Sequence, residues 1–149
     1  MGRKFVVLIL GWAALAALAA CQGPPTPTVM SPNNAVVHIA MDEWRLKPSV
    51  ISAPPGWVTL EAVNTGDNDH EVVILKTDKA ADSLVVGTDA ATGDTKVNEE
   101  ASGDNLGEVE VESGTTHAGT FKLTPGKYVL ICNVPKHYKS GMYAAFEVR

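Results

Sequence analysis

The amino-acid sequence predicts an all-β domain, a sandwich or a barrel, and three observations carry that prediction. From Ala35 onward no long run has helical period. Short runs rich in Val, Ile, Leu and Thr recur instead, and clusters of Gly, Pro, Asn and Asp separate them. With 149 residues, 45% of them hydrophobic, the chain supplies the core of one modest domain and hardly of two.

The N-terminus reads as a processing signal. Arg3 and Lys4 precede an apolar run that extends from Phe5 to Ala20 and closes on Leu18-Ala19-Ala20-Cys21. Basic residues, an apolar stretch and small residues before a cut are what secretion requires. Leu-Ala-Ala-Cys resembles a bacterial lipobox, which implies cleavage before Cys21 and lipidation of its thiol. Residues 1–20 are therefore expected to be a lipoprotein signal peptide. Residues 21–34, with Pro24, Pro25, Pro27 and Pro32 among Thr and Ser, are expected to form a lipid-anchored, semi-rigid spacer. The folded domain then occupies 35–149, outside the cytoplasm and tethered to a membrane, in the periplasm or at the cell surface.

Loss of residues 1–20 removes two positive charges and no acid, so the formal charge of −5 becomes −7, which argues against a nucleic-acid partner. Of the two cysteines, Cys21 goes to the lipid and Cys132 remains as a lone exported thiol. Such a thiol is unusual where paired cysteines oxidise, and it calls for a chemical reason.

Within the domain, strands are expected at 36–41, 48–52, 57–63, 71–76, 83–86, 107–111, 118–123, 127–132 and 143–148. In 57–63, Val58, Leu60 and Ala62 share one parity while Thr59 and Glu61 take the other, the pattern of a half-buried antiparallel strand. Pro54-Pro55-Gly56 and Thr124-Pro125-Gly126 mark turns. Residues 88–105 are polar, and Lys96 is the one base among the acids between Asp89 and Glu112. That region is expected to be a mobile, solvated excursion without calcium-loop spacing.

The chemistry concentrates in Tyr128-Val-Leu-Ile-Cys132-Asn-Val-Pro-Lys-His137-Tyr-Lys-Ser-Gly-Met142, a strand leading into a turn-rich loop and back into a strand. Pro135 keeps Val134 extended, and Gly141 permits a tight turn before Met142. His70 opens an earlier strand and is placed to supply a fourth ligand. Two imidazoles, a thiolate and a weak thioether describe a mononuclear blue-copper site for electron transfer. Zinc would take a stronger fourth ligand than Met142, and a Cys-His nucleophile pair would leave His70 and Met142 unexplained.

The Cys132-x4-His137-x4-Met142 spacing resembles the cupredoxin family, most closely its sulfocyanin and rusticyanin type. The segment from Pro55 to Gly66, followed by His70-Glu71-Val72-Val73, is similar to the N-terminal half of small bacterial cupredoxins, so the resemblance covers most of 35–149. It implies an eight-stranded Greek-key β-sandwich with copper near one end, His137 the ligand nearest solvent and Cys132 the covalent link to the metal. One departure is Glu71, which stands where many cupredoxins carry an Asn or Ser that braces the ligand loops.

The expected function is a one-electron carrier, not an enzyme, acting as a monomeric domain. Its expected partners are redox proteins that dock transiently near His137, with Pro135, Tyr138 and Met142 contributing an apolar patch and Lys136 and Lys139 steering. The alternative is copper delivery, storage or resistance, but no Met-rich or His-rich tract is present. His38, His117, Met30 and Met41 carry no expected role, Trp12 leaves with the signal, and Trp44 and Trp57 are expected to pack.

Overall fold

The computed structural model describes residues 34–149. The signal peptide, the lipidation site Cys21 and the spacer as far as residue 33 lie outside the described residues.

Alternation sets the first sheet. Strand β1 (Asn34–Asp42) buries Val37, Ile39 and Met41 on one face, and a two-residue turn at Glu43 and Trp44 leads into β2 (Arg45–Pro48), which buries Leu46 alone. After the two-residue β3 (Ser52–Ala53), β4 (Gly56–Asn64) buries Val58, Leu60 and Ala62, the parity that its sequence predicts. With β9 (Thr116–Leu123), strands β1, β2 and β4 form a four-stranded sheet in the order β2-β1-β4-β9, in which β1 and β4 run parallel.

The second sheet has the order β3-β11-β10-β5-β8, built from β5 (His70–Lys76), β8 (Asp104–Val111), β10 (Gly126–Ile131) and β11 (Tyr143–Val148), with β3 at its edge. Val37, Ile39 and Leu60 of the first sheet and Val72, Ile74 and Leu130 of the second belong to one core. This is the expected β-sandwich, although nine strands rather than eight stand in its two sheets among the described residues.

The central strands β5 and β10 are buried on both faces, which is why they read as continuous Val-Ile-Leu runs rather than as alternating ones. Val73, Leu75, Val129 and Ile131 point away from the sandwich core and pack with Leu84, Val97 and Tyr138 in a second cluster. The cover comes from residues 77–103, which include β6 (Val86–Thr88), β7 (Thr95–Val97) and the short helix α1 (Glu99–Ser102), capped by the Asn98 side chain.

Three expectations are thereby corrected. The acidic region 88–105 is not an irregular excursion, because β7 and α1 form within it and Val97 and Ser102 are buried, although most of its residues stay exposed as expected. The strand expected at 48–52 falls largely on the connection between β2 and β3, where Val50 and Ile51 are exposed. The apolar run at 83–86 likewise yields a strand only from Val86 onward.

Candidate metal centre

Antiparallel pairing brings the site residues to one end of the second sheet. Ile131, the last residue of β10, pairs with Val73 near the start of β5 and with Tyr143 at the start of β11. Cys132, one residue beyond β10, therefore lies beside His70, the first residue of β5, and beside Met142, which immediately precedes β11. The Cys132 amide donates to the Met142 carbonyl at 2.9 Å, so the ladder continues between them.

The loop between them carries His137. The Lys136 amide donates to the carbonyl of Thr95 at 2.8 Å, and Lys136 itself has a positive φ of 74°, an uncommon conformation for a residue with a Cβ. His137 leads into a 3-10 turn (Tyr138–Ser140) that ends at Gly141, whose φ of 110° is one that side-chain-bearing residues rarely adopt. The tight turn expected before Met142 is present.

These constraints converge three donors. Nδ1 of His70 lies 3.1 Å from Nδ1 of His137, and the Cys132 Sγ lies 3.3 Å from the His137 nitrogen and 3.8 Å from that of His70. A trigonal set around one ion, with bonds of about 2.0 Å to nitrogen and about 2.3 Å to sulfur, has donors about 3.5–3.7 Å apart. The cluster is thus positioned to hold a single metal ion. Its donors suit a borderline-soft transition metal, not an oxygen-seeking one. Met142 is fully buried beside Cys132 and packs with the sandwich core.

The site is closed to water. His70, Cys132 and Met142 are buried, and His137 is only 6% exposed, slightly more than His70 at 2%. Burial pushes the Cys132 thiol up to about 11 and lowers the pKa of both histidines, His137 also through its proximity to His70. The free site therefore holds neutral imidazoles and a protonated thiol, and a metal ion binding there displaces that proton. The Glu71 amide points at the Cys132 sulfur, at 3.5 Å. That contribution comes from the backbone, so the Glu71 side chain does not alter it.

Three neighbours of the site are not singled out by the sequence. Asn133, next to Cys132 and fully buried, accepts the Val97 amide at 2.7 Å and donates to the Val97 carbonyl at 3.1 Å and to Glu99 at 2.6 Å. It ties the metal loop to the acidic cover, a bracing role that many cupredoxins give to the residue after the first histidine, where Glu71 stands here. Trp44 sets its ring edge-to-face against His137 with centroids 4.9 Å apart, while remaining 47% exposed. Glu43 approaches His70 Nε2 from the same turn at 3.6 Å. The Asn68 amide and side chain hydrogen-bond its carboxylate and hold it down to about 2.

The expected surface patch is also revised. Tyr138 and Met142 are buried, so neither contributes to it, and Lys136 is ion-paired with Asp94 at 2.9 Å. Trp57, expected to pack, is about half exposed. His38 pairs with Glu61 at 2.9 Å on the exposed face of the first sheet, and neither His38 nor His117 belongs to the cluster.

The chain resembles solved structures of the auracyanins. One from Roseiflexus castenholzii superposes with a TM-score of 0.57 at 21% identity, covering 78% of this chain and 98% of the other. Auracyanin B gives 0.57 at 22% identity, covering 77% and 88%. Auracyanin A of Chloroflexus aurantiacus, described as a "blue" copper protein, gives 0.54 at 17% identity, covering 78% and 100%. At these identities the likeness establishes the fold. No curated protein matches the chain in sequence. The sulfocyanin (SoxE) domain model matches residues 47–149, from β2 through the whole ligand loop to the end of the chain. With that match covering more than half of the sequence, and with the cupredoxin fold and the His70–Cys132–His137 cluster in place, the chain belongs to the sulfocyanin (SoxE) domain family of cupredoxins.

Proposed function

We propose that this protein is a mononuclear blue-copper electron carrier, held outside the cytoplasm by lipid on Cys21, with His70, Cys132, His137 and Met142 as its ligands. The observation that carries the proposal is the convergence of two Nδ1 atoms and one Sγ, mutually within 4.8 Å, in a buried pocket at one end of the sandwich. Copper bound there would supply a reversible one-electron couple.

What the chain contributes is rigidity and exclusion of water. His70 is fixed in β5, Cys132 by the ladder to Met142, and His137 by the 3-10 turn whose first residue, Tyr138, is itself buried. Donors fixed in this way move little when the charge of the site changes, which keeps the reorganisation cost of electron transfer small. Met142, buried beside Cys132, would supply the weak thioether ligand. The small exposed edge at His137 and Trp44 is the natural place for a redox partner to dock. A copper-delivery role would favour ligands open to exchange, and these are closed.

Redox titration of the copper-loaded protein tests this reading. The expected result is reversible one-electron reduction and reoxidation without copper loss. Release of copper at each reduction would favour the delivery reading and contradict the carrier. For the anchor, Cys21→Ala should remove the lipid mass increment and release the protein from membranes. An unchanged membrane fraction would contradict lipidation at Cys21.

A further inference from the structure

Resting on the copper reading above, we propose that Glu43 is a positioning residue for the metal site, holding the His70 ring from its far side and setting a fixed negative charge that favours the oxidised metal.

Glu43 sits in the β1–β2 turn of the first sheet, whereas His70 belongs to the second. The Glu43 side chain is held in place by a built socket. Its Oε1 accepts the Asn68 amide at 2.7 Å and the Asn68 side chain at 2.9 Å. The turn that presents these donors is braced by buried Asn64, whose side chain accepts the Gly66 amide at 2.9 Å and donates to the carbonyls of Asn68 at 2.8 Å and Val111 at 3.1 Å. Gly66 itself leaves room for the carboxylate, since a Cβ there would stand 2.4 Å from Glu43 Oε2 and 2.7 Å from Oε1. A side chain at position 66 would drive the carboxylate out.

On the histidine side stands an unsatisfied atom. His70 Nε2 is buried with no hydrogen-bond partner, and Glu43 Oε1 faces it at 3.6 Å, just beyond hydrogen-bond distance. Nδ1 of His70 belongs to the donor cluster. An imidazole that donates its Nδ1 lone pair to a metal carries its proton on Nε2, and a buried N–H of that kind requires an acceptor. A carboxylate in that place fixes the tautomer and ring orientation and raises the basicity of the ligand. Its negative charge also stabilises the more positive oxidation state.

The test uses the full chain loaded with copper, comparing wild type with Glu43→Gln, Glu43→Asp, Gly66→Ala and, as a charge-matched control on the exposed face, Glu61→Gln. The midpoint potential is measured together with Cu(II) and Cu(I) affinities by chelator competition. Glu43→Gln should weaken Cu(II) binding about 10-fold relative to Cu(I), which raises the potential by about 59 mV. Gly66→Ala should shift it in the same direction, Glu43→Asp should stay near wild type, and Glu61→Gln should change neither quantity. A blue Glu43→Gln protein with the wild-type potential overturns the proposal, as does equal loss of affinity for both oxidation states. Failure of the wild-type chain to turn blue would instead overturn the copper reading itself.

Discussion

Replacing Asn133 with Ala tests how the metal loop is held to the rest of the domain. The side chain makes three hydrogen bonds, two of them to the backbone of Val97, and it is fully buried. At about 1 kcal/mol net for each bond, the loss should be about 3 kcal/mol. The Val97 amide and carbonyl would be left unpaired in a residue only 5% exposed, so water cannot readily replace the lost partner. Urea unfolding of the metal-free protein measures the stability change, and hydrogen exchange at the Val97 amide reports where it falls. The exchange should accelerate more at Val97 than at the core strand β4. A loss below about 1 kcal/mol, with Val97 as protected as in wild type, would refute the reasoning, because three buried bonds would then contribute almost nothing.

Two further outcomes follow from the neighbours of His137. Trp44→Ala removes the ring that covers this ligand, so a chelator should strip copper several-fold faster, while stability falls by only about 1 kcal/mol; an unchanged stripping rate would contradict the covering role. Tyr138→Phe deletes a hydroxyl that accepts the Leu84 amide at 3.0 Å and donates to the Ala81 carbonyl at 2.9 Å. Stability should fall by about 2 kcal/mol, with faster hydrogen exchange at Leu84, and an unaffected Leu84 amide would contradict it.

The ligand loop was legible in the sequence because its chemistry is local. Cys132, His137 and Met142 lie within one loop, and Gly141 marks the turn that folds it. The strand 57–63 was legible because one face meets water and the other the core, which writes a period of two into the residues. Strand β2 was not, because it is a four-residue edge strand with a single buried side chain, while the nearby apolar Val50 and Ile51 face solvent. The order within the acidic cover is hidden for a related reason. Leu84, Val97 and Ser102 are its buried residues, and they are scattered among acids. Glu43 and Trp44 were invisible as site residues because only the meeting of the two sheets carries the β1–β2 turn to the histidines. The bracing of the ligand loop falls to Asn133 and was not legible, because its partner is a backbone segment 36 residues away.

The most direct test of the central claim is titration of the full chain with Cu(II), followed by visible absorption, in wild type and Cys132→Ser. The account predicts an intense thiolate-to-copper charge-transfer band that saturates at one copper per chain in wild type and is absent from the variant. A colourless wild-type complex, or a band that survives the loss of the Cys132 sulfur, would contradict it.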